Sequence, residues 1–296
     1  MKDMWKYLEE INSELKKSLL CIPPSRACIN EEFIEKIYRK MKRNKCINDD
    51  ISSIVISPWH RAHQMEFRYK KTKIFEPYIP VLEYGTFSVI VTDWVCAYLT
   101  LLPVVEASLR KWMEFEPSLS LKSLHRFYYT FGKYFREHIG PYDEEMELII
   151  KEYIKYLKYS FKMLYMGFEE YNRKNYNEIF NRNLTLHKLE GARSLRESAS
   201  NVVRISLLLD VISELYLMHD PESWWHNCVL EDPEKHIDFQ LRWHLYEKKA
   251  MLSAGHDDML IVQNILGRKV SDKKKKELIA QLKEEIKLNS GRKPRF

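Results

Sequence analysis

The stretch 194–218, "SLRESASNVVRISLLLDVISELYLM", constrains the fold more than any other part of the chain. Val202, Ile205, Leu208, Leu209, Ile212 and Leu215 recur at steps of three and four, which places them on one face of a helix. A strand would need alternation, and none is present here. Similar periodicity governs 2–20 and 31–45, where Asn30 is a ready N-cap for "EEFIEKIYRKMKRNK". It returns over 86–114, over "PSLSLKSLHRFYYTFGKYFREHIG" and over 143–168, whose acidic start "YDEEM" suits a helix N-terminus. Only eight glycines occur in 296 residues, too few for a turn-rich β architecture. No series of short β-branched runs alternates with helices, so a parallel sheet is not expected. The expected class is all-α.

The chain is long enough for a full core and two lobes. Segment 46–85, with Pro58, Pro77 and Pro80, reads as loops with short elements. "WWHNCVLEDPEKHIDFQLRWHLYEKKAML" reads as short helices and turns. The end is a charged helix with a basic tail. The expected organisation is a helical N-terminal region over 1–83, a helical bundle over 84–220 and a C-terminal helical extension over 221–296. "FSVIVTDWVCAYLTLLPVV", residues 87–105, is nearly long enough to span a bilayer. Asp93 in its interior would be costly there. It reads as part of one long helix over 86–114, buried on most sides and bent near Pro103.

The five cysteines are odd in number and lack CxxC spacing, which fits a reducing cytoplasm. The N-terminus carries acids and lysines throughout and reads as an amphipathic helix, not a signal peptide. A formal charge of +6, from 48 basic and 42 acidic residues, suits a polyanionic partner without requiring one. Arg61, Arg68, Lys70, Lys71 and Lys73 stand among Trp59, Phe67 and Tyr69. Such a mixture grips a nucleic-acid backbone and stacks on bases, or forms an ordinary amphipathic surface. His60, His63 and Glu66 are spaced for one helix face, and His226, Cys228 and His236 cluster near a tryptophan pair. Neither set has the partners a zinc site needs, so no metal and no cofactor are expected. A P-loop, GxGxxG and GxSxG are all absent.

The segment with chemical potential is "NRNLTLHKLEG", residues 181–191. Asn183 and His187 are four apart and share a helix face. Arg182 and His187 are five apart, about 140° around an ideal helix, so Arg182 must sit at the helix start or curl round its end. RNA cleavage by the ribose 2′-OH needs a group to take its proton, and histidine titrates in the right range. It also needs charge stabilisation at the phosphate, which a guanidinium fork supplies. The plain reading of the same residues is a polar helix start with a capping Asn and a surface His.

"FNRNLTLHKLEG" followed by "SLLLDVISELYLM" resembles the HEPN superfamily of helical nucleases and nucleotide-binding proteins, whose motif is Arg-x4-6-His, often with Asn, Asp or His after the Arg. Arg182, Asn183 and His187 match it, and the likeness covers roughly 84–220. "LPVVEASLRKWM", 102–113, resembles the glutamate-containing first helix of such domains. Two departures stand out: Lys188 sits where many relatives have Gly, and 116–140 is longer than a minimal bundle needs. The resemblance implies a HEPN-type bundle with metal-independent endoribonuclease activity, acting as a homodimer whose two motifs meet at one cleft. It implies His187 as base or proton donor, Arg182 as stabiliser of the phosphate charge, and Asn183 as a holder of substrate or partner. Glu106 is then a candidate support for Arg182, or simply the i,i+4 partner of Arg110. An antiviral-defence or toxin setting, with a regulatory protein or antitoxin as partner, follows by analogy. The expectation is a cytoplasmic RNA-cutting enzyme with no membrane contact. The rival is a non-catalytic helical module that binds RNA or a protein, and a third possibility is membrane association through 87–105.

Overall fold

The computed structural model describes residues 2–25, 27–115, 144–166, 180–182, 195–218 and 233–253. Among these, nine α-helices and three short 3-10 turns account for 84% of the residues, and no strand occurs. The helices are α1 (Lys2–Leu15), α2 (Glu31–Lys42), α3 (Asn48–Val55), α4 (Pro58–Phe67), α5 (Ile79–Ile90), α6 (Trp94–Phe115), α7 (Glu144–Leu164), α8 (Leu195–Met218) and α9 (Pro233–Ser253). The all-α expectation holds.

Local chemistry sets the boundaries. Asn30 caps α2 by accepting from the Phe33 amide at 2.9 Å, as its sequence position predicts. Ser57 caps α4 through the His60 amide, and Pro58 follows at the first turn, where no amide is missed. The expected single helix over 86–114 is instead two. Thr92 adopts a left-handed conformation, φ 61°. Its amide bonds back to the Val89 carbonyl and that of Asp93 to the Ser88 carbonyl, at 3.2 and 2.9 Å. This is a Schellman ending. The Asp93 side chain then accepts from the Cys96 amide at 3.2 Å and starts α6. Asp93 is therefore a helix cap and not a charge inside a span. The apolar run folds into a hairpin, and among the described residues no helix is long and apolar enough to cross a membrane. Pro103 lies exposed within α6.

The α5–α6 hairpin closes tightly. A Cβ on Gly85 would lie 2.5 Å from Leu101 Cδ2, so only glycine permits this approach.

α8 is the axis of the molecule. Every residue from Asn201 to Leu215 is buried, so the single apolar face expected from sequence is only half of what packs. α6 and α7 lie against it, as do α3 and the 3-10 turn Tyr69–Lys71. Ser206, Asp210, Ser213 and Glu214 form a second, polar stripe on α8. The N-terminal region supplies what that stripe needs. One core runs continuously from Leu8 through Met218, so 1–83 and 84–220 share it. A smaller core joins Ala62, Phe67 and Ile90 to Phe239, Tyr246 and Ala250, seating α9 on α4 and α5. α9 is one helix of 21 residues where short helices and turns were expected. Phe239, Trp243, Tyr246 and Ala250 give it a continuous packing face.

Candidate functional site

Arg182 is fixed from three directions. Arg182 has helical conformation and directly follows Phe180 and Asn181, both fully buried. The Asn181 side chain donates from Nδ2 to the carbonyls of Met163 and Met166, at 3.2 and 2.9 Å. The Met163 carbonyl belongs to the last turn of α7 and also accepts from the Met166 amide at 3.5 Å, while the Met166 carbonyl lies just past the helix end. The amide thus ties the backbone just before Arg182 to the last turn of α7. From α6, Glu106 Oε2 accepts a hydrogen bond from Arg182 NH1. Below the guanidinium lies the Tyr165 ring, its centroid 5.4 Å from Cζ, a cation–π distance.

Glu106 serves both partners weighed for it. Its Oε1 accepts from Arg110 NH2 at 2.8 Å, while Oε2 holds Arg182. Two guanidinium groups therefore share one carboxylate, and the cluster keeps a net positive charge. The Arg182 side chain remains 28% exposed. Burial first, then the negative charge of Glu106, pushes the Tyr165 hydroxyl well above its usual range, with Arg182 acting in the opposite sense. Tyr165 stays neutral and cannot compete as an anion for the arginines. Arg182 Nε is buried with no hydrogen-bond partner among the described residues. Asn183 and His187 lie outside the described residues.

The expected basic surface over 61–73 divides in two. Arg61 and Arg68 are not on the surface: they are 2% and 3% exposed. Arg61 NH2 donates to Asp210 Oδ2 and NH1 to the Tyr69 hydroxyl at 3.1 Å. Arg68 Nε donates to Glu214 Oε2 at 2.7 Å. The reason is the polar stripe of α8, whose two buried carboxylates need cations in the core. Neither arginine can touch RNA. Lys70 and Lys73 are exposed and Lys71 is partly so, with Lys70 held by Glu66 at 3.0 Å.

Asp210 is the centre of the network that sequence reading missed. It accepts from His60 Nε2 at 3.0 Å, from Tyr69 at 2.6 Å and from Arg61. Beside it, the hydroxyls of Thr72 and Ser213 meet at 2.7 Å. Burial works to raise the Asp210 carboxyl, but the charge of Arg61 and the bond from His60 outweigh it, and the group stays below its ordinary range. Burial lowers His60 more than the Asp210 bond raises it, so the imidazole is held neutral and donates from Nε2. His60, Arg61, Tyr69 and Asp210 resemble an acid–base constellation in composition. All four are enclosed, so their role is to join α4 to α8. A signal was present in the sequence: Asp210 and Glu214 stand one turn apart within an otherwise apolar helix, and such acids require buried bases.

No metal-ligating cluster of three or more His, Cys, Asp or Glu exists among the described residues. His60 is committed to Asp210, His63 stacks on Trp59, and Glu66 binds Lys70 and Arg242. His226 and Cys228 lie outside the described residues, as does the side chain of His236. Cys21, Cys28, Cys46 and Cys96 are free thiols. Burial pushes the Cys28 thiol up to about 11, which leaves it unreactive.

No protein-family model matches the chain, and no curated protein or solved structure matches it.

Proposed function

We propose that the protein is a metal-independent endoribonuclease of HEPN type, in which Arg182 stabilises the charge on the scissile phosphate, His187 moves the proton of the ribose 2′-OH, and Asn183 holds the substrate. The observation that carries this reading is the setting of Arg182. Its backbone is tied down through Asn181, and its guanidinium is gripped by Glu106 yet still reaches solvent. A guanidinium held in this way loses little freedom when a phosphate arrives, which is what charge stabilisation at a transition state requires. The surplus positive charge of the Arg182–Glu106–Arg110 cluster favours an anion at that point. The substrate brings its own nucleophile, so the chemistry needs no cofactor.

The reaction runs in two movements. The 2′-OH gives up its proton as its oxygen attacks the adjacent phosphorus. The 5′-oxygen of the next nucleotide then leaves with a proton, and a 2′,3′-cyclic phosphate remains. Glu106 acts through Arg182 and is a positioning residue. RNA is the proposed partner, and a second subunit can bring another copy of the motif to the same phosphate. The defence or toxin setting rests on family analogy alone.

The test compares the parent with Arg182→Ala and His187→Ala on single-stranded RNA. Loss of Arg182 is expected to lower the rate by at least ~100-fold, the scale of one removed transition-state donor. A loss below about tenfold would assign Arg182 to structure. Binding by all three proteins with cleavage by none would establish the non-catalytic module instead.

A further inference from the structure

Residues 36–45, "KIYRKMKRNK", at the end of α2, hold six cations and no acid. No other run of ten described residues carries as many. Bases suit a helix C-terminus, and that accounts for one turn of them. The row is longer. On an ideal helix Lys36, Arg39, Lys40 and Arg43 fall within an arc of about 100° and span about 10 Å. Ile34 and Ile37 bury the other side of α2 and hold the row outward. Arg39 pairs with Glu35, Lys40 with Asp50, and Lys42 with Glu10 at 2.7 Å. Lys36, Arg43 and Lys45 are exposed and have no ion-pair partner among the described residues. Six cations against three carboxylates leave a surplus of three, and Glu31 and Glu32 stand at the far end of the helix.

A surplus of this kind draws a polyanion. Beside the row, the rings of Tyr7 and Tyr38 stack with centroids 3.9 Å apart, and both residues remain partly exposed. Cations set beside aromatic rings suit a single-stranded nucleic acid, whose phosphates meet the first and whose bases stack on the second. Arg61 and Arg68 are buried, so an RNA finds its cations elsewhere.

A chain of contacts links this row to Arg182. Three residues after Lys45, Asn48 Nδ2 donates to Ser18 Oγ at 2.7 Å. The Ser18 carbonyl accepts from Arg204 Nε at 3.1 Å. The Arg204 guanidinium in turn lies 5.9 Å from the centroid of the Phe180 ring, two residues before Arg182. Lys16 Nζ stands 4.8 Å over the Tyr159 ring, so the chain just after α1 meets the last turns of α7, where Asn181 is anchored. The turn after α2 and Arg182 are therefore at the same end of the bundle.

We infer that the C-terminal half of α2 and the turn after it bind the RNA backbone flanking the cut. The identity of the polyanion rests on the ribonuclease reading. The row takes no part in the reaction itself, so a substrate too short to reach it is cut without it.

The test changes only the three cations that leave no carboxylate behind: Lys36→Gln, Arg43→Gln and Lys45→Gln in one full-length chain, with circular dichroism to show it folded. The binding probe is a single-stranded RNA 2′-O-methylated throughout, which cannot be cut by 2′-OH attack. At about 0.1 M salt the triple variant should bind it at least ~10-fold more weakly, and the slope of log affinity against log salt should be shallower by about 2, the share of three phosphate contacts. Cleavage of the dinucleotide UpA should match the parent. A control with Lys73, Lys151 and Lys248 changed to glutamine loses the same charge elsewhere and should bind nearly as the parent does.

Parent-like RNA binding by the triple variant overturns the inference. So does an equal loss in the control, which would mean bulk charge alone, or slowed UpA cleavage, which would put the row inside the reacting site. A loss confined to vesicles of phosphatidylserine and phosphatidylcholine would assign the row to a lipid surface and overturn it too. A parent that binds RNA through this row but cuts none would refute the ribonuclease reading and leave the inference standing.

Discussion

Asp210→Asn removes one charge, and one hydrogen-bond acceptor, from the centre of the molecule. Asn has nearly the same volume and can still accept from Tyr69, which donates to Oδ1 at 2.6 Å. What changes is the partner of Arg61 and of His60, which both donate to Oδ2, where the Asn amide nitrogen would stand. That guanidinium is 2% exposed and has no route to water. Breaking a buried pair from one side costs about 3–5 kcal/mol, because the remaining charge stays desolvated. Domains of this kind hold only about 5–15 kcal/mol in total, so the loss is a large share. Urea unfolding near neutral pH, followed by tryptophan fluorescence, should show a lower midpoint at unchanged slope. Arg61→Met should destabilise on its own, and the double variant should be less damaged than the sum of the singles by about 2 kcal/mol. A loss below about 1 kcal/mol for Asp210→Asn, or strict additivity in the cycle, would refute the claim that this pair joins α4 to α8.

Four further outcomes follow from the same geometry. Gly85→Ala should cost about 1–3 kcal/mol, because its Cβ would collide with the buried Leu101 side chain 2.5 Å away, and Leu101→Ala should relieve part of the loss in a thermal melt. Thr92→Gly should stabilise by about 1 kcal/mol in the same assay, since a β-branched residue is strained at φ 61° and glycine is not. Stability should fall on the acid side in two windows. His60 is lowered by burial, so the unfolded chain takes up its proton first and stability declines as pH drops below the ordinary histidine value of 6.5; the depressed Asp210 adds a second decline below 3.8, as pH falls through its folded-state value. Acid titration of unfolding free energy checks this, with His60→Gln removing the first window. Finally, Asn181→Ala removes the Asn181 donor from the Met166 carbonyl and leaves the Met163 carbonyl only the long bond from the Met166 amide, at 3.5 Å, costing about 1–3 kcal/mol. It should reduce the maximal cleavage rate more than RNA affinity, whereas a purely structural role would leave the turnover of the folded fraction unchanged.

Helices with a cap and one apolar face were legible in the sequence. Asn30 before α2 and the spacing within α8 each named their element. Breaks that depend on an unusual backbone were not. Thr92 is a poor residue for a left-handed turn, so nothing local announced the α5–α6 hairpin, although Asp93 inside an apolar run is a capping signal in hindsight. The boundaries of α9 were hidden because its apolar residues lie on two opposite sides, which blurs a one-face pattern. Arg61 and Arg68 were read as surface groups because their neighbours are lysines. Their true partners, Asp210 and Glu214, lie about 150 residues away and are brought close only by the burial of α8. At the candidate site, the motif marked Arg182 and the spacing marked Glu106–Arg110. The shared carboxylate and the Asn181 anchor depend on how residues 181–182 meet α6 and the end of α7, which sequence spacing does not encode.

The central claim is chemical, and end-group analysis reads it most directly. RNA incubated with the parent protein in excess EDTA should yield 2′,3′-cyclic phosphate and 5′-hydroxyl termini, and a substrate 2′-O-methylated throughout should remain intact. Cleavage of the methylated substrate, 5′-phosphate ends, or complete dependence on a divalent ion would contradict the account.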